Sequence, residues 1–150
     1  MERDVPDTPA QLKARALRHL VRREHSRAEL ARKLAPHAQS ADAVEAVLDL
    51  LWSKKQQSDE RFAEERARVL SRKYGAAKIR QDLKSKGIAE EIVRGISSKS
   101  DVERAKAILV RKYREPAATR EERARRARFL QSRGFSYDVI RQALGALNDD

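Results

Sequence analysis

Histidines and paired carboxylates are the side chains in this 150-residue chain with the most obvious chemical potential. The three histidines are His19, His25 and His37, and there is no cysteine. No two histidines stand four residues apart, the spacing that would place two imidazoles on one helical face. Without cysteine, thiolate metal sites and disulfide scaffolds are excluded. We therefore expect structural histidines and neither a metal nor a cofactor.

The acidic pairs also have a structural explanation. The pairs are Glu64–Glu65, Glu90–Glu91 and Glu121–Glu122, and the last two fall in predicted first helical turns, where the helix dipole stabilises a carboxylate. The five glycines are scattered singly at predicted helix ends, so no phosphate-binding loop is present. No serine occupies a G-x-S-x-G setting. The sequence predicts a protein that is not an enzyme.

Charge is distributed unevenly along the chain. The net charge is +11, yet residues 1–60 contribute only +1. The surplus lies in residues 61–86, with 9 basic and 3 acidic residues, and in residues 104–128, with 10 and 3. Such clustering indicates an anionic partner, either nucleic-acid phosphates or an acidic protein surface. Solubility is the alternative explanation.

The elements that position these charges repeat three times. The copies occupy residues 20–34, 69–83 and 130–144 and read LVRREHSRAELARKL, VLSRKYGAAKIRQDL and LQSRGFSYDVIRQAL. His25, Tyr74 and Phe135 coincide, so an aromatic ring is expected to plug the same turn in each copy. Each copy spans a helix, a tight turn and a second helix, which predicts a tandem array of helical units.

Apolar spacing and capping residues predict helices throughout, in an all-α fold. The predicted helices are 9–24, 27–36, 41–55, 59–73, 76–86, 89–97, 101–114, 119–133 and 137–147. Thr8, Ser26, Ser100 and Thr119 each precede a Gln or Glu three residues on, the pattern of a capping box. Three repeats of three helices follow, at 1–57, 58–99 and 100–150, with the extra helix of the third preceding its repeat. Trp52 is expected in the core or between repeats, with an exposed aromatic anchor at an interface as the alternative.

Comparing the copies separates structural from binding cations. Arg23, Arg72 and Arg133 all end a first helix, where a cation favours the free carbonyls, so structural and binding roles stay open. Other basic residues of the second copy align with neutral or acidic residues of the first, which favours a partner. The predicted contact residues are Arg68, Arg72, Lys78, Arg80, Lys84, Arg111, Lys112 and Arg125.

Three combined motifs resemble the bacterial regulatory protein family RecX. They are R-E-x-S-x-x-E-L in residues 23–30, D-E-R-F-A in residues 59–63 and R-G-F-S-x-x-x-I in residues 133–140. The resemblance covers nearly the whole chain. Family members usually have a glycine and a bulky apolar residue just before D-E-R-F-A, but residues 53–58 here read SKKQQS. We therefore expect the third helix to run on and the hinge after it to be stiffer.

The resemblance implies a non-enzymatic, cytoplasmic modulator of the RecA recombinase. It also implies an elongated, curved array lying in the groove of the RecA filament on single-stranded DNA. Most members limit filament extension, ATP hydrolysis and strand exchange, so they regulate recombination and DNA repair. Some bind DNA directly. The charge of this chain favours a monomer, and no apolar run suits a membrane span.

A stand-alone DNA-binding helix-turn-helix protein is the alternative. Against it, residues 76–86 begin without the Asn, Gln or Arg cluster expected of a helix that reads bases. Phosphate contacts with single-stranded or duplex DNA remain compatible with the sequence.

Overall fold

A computed structural model describes residues 5–148, which form nine α-helices and one short 3₁₀ helix. No strand occurs in this range. The α-helices are α1 (Pro9–Arg22), α2 (Arg27–Leu34), α3 (Ala41–Ser53), α4 (Asp59–Leu70), α5 (Ala76–Ser85), α6 (Glu90–Val93), α7 (Asp101–Lys112), α8 (Arg120–Ser132) and α9 (Tyr137–Asn148). The all-α prediction is confirmed, although α6 is one turn rather than the nine residues expected.

Three of the four predicted capping boxes are confirmed. The side chains of Thr8, Ser26 and Thr119 each accept a hydrogen bond from the amide three residues on, and the backbone amide of each donates one to the side chain of that later residue. The fourth was wrong, because Ser100 makes no capping hydrogen bond with its side chain. Its φ of −96° and ψ of 9° depart from the extended conformation that a capping side chain requires.

The end of α3 also differs from the expectation. The helix stops at Ser53, and Lys55 takes a left-handed φ of 62°. The amide of Gln56 then donates to the carbonyl oxygen of Leu51 at 2.8 Å, closing the helix end. A lysine thus adopts the conformation that glycine usually supplies at this position, and the helix does not run on.

The chain divides into two compact units. The first comprises residues up to Glu65 together with Ser85–Ala89, and the second comprises Arg66–Lys84 together with residues from Glu90 onward. The positions of the repeat boundaries at 57/58 and 99/100 stay a prediction.

The core of the first unit is formed by α1, α2 and α3. Its buried side chains are Leu12, Ala16, Leu30, Leu34, Val44, Val47, Leu48 and Leu51. Trp52 lies outside this core with 62% of its surface exposed, so its predicted burial was wrong. Consecutive helical residues point about 100° apart, and the residue after Leu51 is turned away from the buried stripe.

The core of the second unit is formed mainly by α7, α8 and α9. Its buried side chains are Ala105, Ile108, Leu109, Leu130, Phe135, Ile140, Ala143 and Leu144. At the aligned turn position, Phe135 and His25 are buried and Tyr74 is half-buried. The expected aromatic plug is therefore present in the three turns to different degrees.

Carboxylates from the start of a later helix cap two of the repeated turns. In the first unit, Asp59 Oδ1 accepts a hydrogen bond from the amide of Arg27, the first residue of α2, at 2.8 Å. In the second unit, the Asp101 carboxylate accepts from the amide of Ala76, the first residue of α5, at 3.2 and 3.3 Å. Because the first amides of a helix have no partner within it, each aspartate ties one helix to the start of another.

Candidate interaction surface

The tripeptide Arg-Lys-Tyr occurs twice, after α4 and at the end of α7, and the second unit brings both copies together. Hydrogen bonds and ring contacts link the two tripeptides to Phe129 in α8 and Arg133 after it. We call this group the arginine–aromatic cluster. Its members are Arg72, Lys73, Tyr74, Arg111, Lys112, Tyr113, Phe129 and Arg133.

Two arginines of the cluster are held by backbone carbonyls of the loop after α4. Arg111 Nη2 donates to the carbonyl oxygen of Arg72. Arg133 Nη1 donates to the carbonyl oxygen of Lys73 at 3.2 Å. A guanidinium has five N–H donors, so each arginine retains donors for another acceptor. The cations are thus oriented before any partner binds.

Aromatic rings lie against two cations of the cluster, Arg133 and Lys112. The guanidinium of Arg133 lies 4.7 Å from the ring centre of Phe129 and 5.5 Å from that of Tyr74. The ammonium of Lys112 lies 4.7 Å from the Phe129 centre. Tyr113 and Phe129 meet edge to face, with their centres 6.3 Å apart. The negative face of each ring attracts a cation, so the rings hold positive charge at this surface.

The cluster has positive charge without a matching acid. Its five cations are Arg72, Lys73, Arg111, Lys112 and Arg133, and none forms an ion pair with a carboxylate among residues 5–148. Arg72, Lys73 and Lys112 are exposed. Exposed cations without counter-charges keep their hydration and counterions until an anionic partner displaces them. The surface is therefore suited to binding an anion.

Close backbone packing fixes the loop that carries the first tripeptide. The amide of Gly75 donates to the carbonyl oxygen of Arg133 at 2.8 Å. A Cβ at Gly75 would lie 2.6 Å from the carbonyl oxygen of Gly134, which itself has a φ of 90°. Only glycine permits this approach, and the Asp101 cap on the next amide holds the same turn.

Three of the eight predicted contact residues meet in the cluster, namely Arg72, Arg111 and Lys112. The others lie elsewhere. Arg68 and Arg125 are exposed on α4 and α8, and the Lys84 ammonium is 3.7 Å from a Glu90 carboxylate oxygen.

Two predicted contact residues take part in internal packing. Arg80 is half-buried, and its Nε donates to the carbonyl oxygen of Ile96 at 3.1 Å. The Lys78 side chain is exposed, but its Cβ and backbone lie directly against Gly134. Their role as partner contacts stays a prediction.

The sequence did not predict Lys73, Tyr74, Tyr113 and Phe129 as members of the site, and for Arg133 it left both a structural and a binding role open. The signal was the Arg-Lys-Tyr tripeptide itself. Aligning the chain on its repeated turns concealed it, because residues 111–113 precede the third copy and have no counterpart in that alignment.

The histidine with the most contacts lies in the first unit, where its role is structural. His25 is 2% exposed, with Nδ1 3.1 Å from the carbonyl oxygen of Arg23 and Nε2 2.9 Å from the Lys33 ammonium. Burial lowers the pKa of His25, and the nearby cations add to this effect. Burial raises the pKa of Glu29, but hydrogen bonds from Arg23 and the Ser26 amide outweigh it and leave the pKa lowered.

Within residues 5–148, no group of three or more His, Asp or Glu side chains is arranged to hold a metal ion. No helix in the same range is both long and apolar enough to cross a membrane.

The helices and the three repeated helix–turn–helix segments define an all-α repeat protein. The chain matches three family profiles in order, described as the first, second and third three-helix domains of RecX, over residues 13–51, 58–95 and 99–144. It belongs to the RecX family. The tandem three-helix repeats predicted from the sequence are confirmed by these matches.

Relatives in this family are named Regulatory protein RecX. The protein from Ralstonia nicotianae is 44% identical, over 97% of this chain and 96% of its own length. That from Leptothrix cholodnii is 46% identical, over 89% and 87%. These names describe regulatory proteins, which confirms that the chain is not an enzyme. The RecX crystal structure from Lactobacillus salivarius matches the fold with a TM-score of 0.78 at 22% identity, over 93% of this chain and 96% of that one.

Proposed function

We propose that this regulatory protein binds the RecA filament on single-stranded DNA and inhibits its ATP hydrolysis, extension and strand exchange. It would act in the cytoplasm and restrain recombination and DNA repair. The observation that supports this proposal is the arginine–aromatic cluster, where five cations have no carboxylate partner among the described residues and three of them, Arg111, Lys112 and Arg133, are oriented by carbonyls or rings. The proposed partner surfaces are acidic regions of the recombinase and phosphates of the DNA within it.

The composition of the cluster suits an extended, charged partner. Arginine binds carboxylates and phosphates through paired N–H donors, and lysine adds compact point charges. Exposed Arg72, Lys73 and Lys112 are available for such contacts. Since these contacts release counterions, binding is expected to weaken steeply as salt concentration rises.

Recognition of duplex DNA by a helix-turn-helix element is less well supported. In that mode the N-terminal end of the second helix enters the major groove. In α5 the first residue is buried Ala76, whose amide is bonded to Asp101. In α2, the preceding Ser26 is fully buried. In α9, the first turn contains Asp138, which would repel phosphates.

The proposal is tested by adding the protein to RecA that is hydrolysing ATP on single-stranded DNA. Inhibition is expected at substoichiometric amounts and moderate salt. A variant with glutamate in place of Arg72, Lys73 and Lys112, the exposed cations of the cluster, should lose inhibition while helicity stays unchanged. Arg68, Lys78 and Lys84 lie outside the cluster, and Arg80 is left intact because its hydrogen bond to Ile96 supports the fold. Absence of any effect of the parent protein on hydrolysis would refute the proposal.

A further inference from the structure

A small pocket in the second unit is lined by a largely buried cation that forms no direct ion pair with a carboxylate among residues 5–148. The pocket has a volume of about 160 Å³ and lies between the end of α7, the loop after it and α8. Its lining includes Leu109, Val110, Tyr113, Pro116 and Arg126. Arg126 is only 8% exposed. We call this the Arg126 pocket.

Arg126 has no hydrogen bond or ion pair with any other residue in the part of the chain that the structure describes. The centre of the Tyr113 ring lies 4.1 Å from the guanidinium carbon of Arg126. The charge of Arg126 also contributes, behind the hydrogen bonds from Ala118 and Thr119, to lowering the pKa of Glu122 one helical turn earlier. The guanidinium nitrogens nevertheless keep contact with solvent, because none of them is both buried and without a hydrogen-bond partner. The Tyr113 ring leaves all five N–H donors available to an acceptor.

Neighbouring carboxylates do not fill this role. Glu122 lies one helical turn before Arg126, but its Oε1 accepts hydrogen bonds from the amides of Ala118 at 2.6 Å and Thr119 at 3.0 Å. Those bonds, the Ala118 one most strongly, lower the pKa of Glu122. Glu115 lines the pocket but is exposed and forms no ion pair with Arg126. The guanidinium is therefore available to an anion that enters from outside.

We propose that the Arg126 pocket binds the carboxylate of an acidic side chain from a partner protein. The guanidinium would pair with the two carboxylate oxygens, while Leu109, Val110 and Pro116 would contact the methylene groups behind them. The volume provides room for one side chain. A DNA phosphate fits less well, because it is flanked by two sugars and most of the pocket lining is apolar, with Arg114 and Glu115 as its other charged members. The open arginine–aromatic cluster suits phosphates better.

The test uses two matched probes and the full-length protein without any recombinase, so its outcome is independent of the proposed function. One probe is N-acetylglutamic acid α-amide, which carries a single carboxylate, and the other is the uncharged N-acetylglutaminamide. Nuclear magnetic resonance follows the Nε–Hε signal of Arg126 and the ring of Tyr113. The acidic probe should produce a saturable shift with a dissociation constant of millimolar order, and the uncharged probe should produce none.

Variants distinguish the pocket from general charge attraction. Arg126→Met keeps an apolar stem, removes the cation and should abolish the Tyr113 shift, whereas Arg128→Met, at an exposed position of the same helix, should leave it unchanged. Val110→Glu, at a position that is 63% exposed, places a carboxylate at the mouth and should weaken binding severalfold. That second variant keeps the test decisive if Arg126→Met does not fold.

Three results would overturn the assignment. The first is an equal response, or no response, to the two probes. The second is a stronger response to inorganic phosphate or to oligothymidylate than to the acidic probe, which would make the pocket a phosphate site. The third is unchanged probe binding in both Arg126→Met and Val110→Glu.

Discussion

Replacing Asp101, the first residue of α7, with alanine should destabilise the second unit. The Asp101 side chain is 4% exposed and has two partners, the amide of Ala76 and the guanidinium of Arg104. Losing a helix cap costs about 1 kcal/mol. Removing one partner of a buried ion pair costs about 3–5 kcal/mol, which we reduce to about 1–2 kcal/mol because Arg104 is 22% exposed.

The total expected loss for Asp101→Ala is about 2–3 kcal/mol, or a fall in Tm of about 4–12 °C for a chain of this size. The matched control is Asp59→Ala, which removes the cap on Arg27 but no arginine ion pair. Its expected loss is about 1 kcal/mol. Thermal unfolding followed by circular dichroism measures both, and hydrogen exchange should accelerate at the amide of Ala76.

A double-mutant cycle with Arg104→Met isolates the ion pair. Once Arg104 is absent, Asp101→Ala should cost only the cap, so the two losses should fall short of additivity by about 1–2 kcal/mol. Strict additivity, or a loss for Asp101→Ala no larger than that for Asp59→Ala, would refute this account of the Asp101 contacts.

Two further predictions concern the first unit. Lys55→Gly should raise the free energy of unfolding by about 0.5–1 kcal/mol, because glycine adopts a φ of 62° without the steric penalty of a side chain. The control is Lys54→Gly, which should not raise the free energy of unfolding because Lys54 has a φ of −91°. Chemical denaturation measures both, and equal effects would contradict the strain argument. Burial lowers the pKa of His25 below its unfolded value near 6.5, so the unfolded chain binds the extra proton and stability falls as pH drops from about 6.5. His25→Phe should flatten this decline between pH 7 and pH 5. Burial also lowers the pKa of His19, so part of the stability loss at low pH should remain in this variant. An unchanged slope of stability against pH in His25→Phe would show that His25 does not cause the loss.

Periodicity and capping chemistry were sufficient to predict most helices of this fold. Thr8, Ser26 and Thr119 signal helix starts locally, because each cap involves residues three positions apart. The errors arose where contacts with residues distant in the sequence determine the local structure. Ser100 has the right neighbours, but the buried carboxylate of Asp101 bonds to Ala76 instead, 25 residues away.

The candidate site was predictable in part for a related reason. A repeat alignment identifies Arg72 as a cation at the end of a first helix, but it does not reveal which distant segment meets it. The contact of Arg111 with the Arg72 carbonyl joins residues 39 positions apart. Trp52 is exposed because it follows buried Leu51 by one residue, which turns its side chain about 100° away from the core. Amino-acid composition alone does not reveal which face of the helix is buried.

The central claim is that the arginine–aromatic cluster mediates binding to the RecA filament. Replacing Arg72, Lys73 and Lys112 with glutamine removes three exposed charges but keeps the backbone carbonyls that hold Arg111 and Arg133. The matched control replaces Arg18, Arg22 and Arg32, three exposed cations of the first unit, and so has the same net charge.

The decisive measurement is the affinity of both triple variants for RecA assembled on single-stranded DNA, at one moderate salt concentration. With about 0.5 kcal/mol lost per exposed cation, the cluster variant should bind roughly tenfold more weakly than the parent, and the control should bind almost as tightly as the parent. Equal weakening in both variants would show that net charge alone drives binding. Unchanged affinity of the cluster variant would contradict the claim directly.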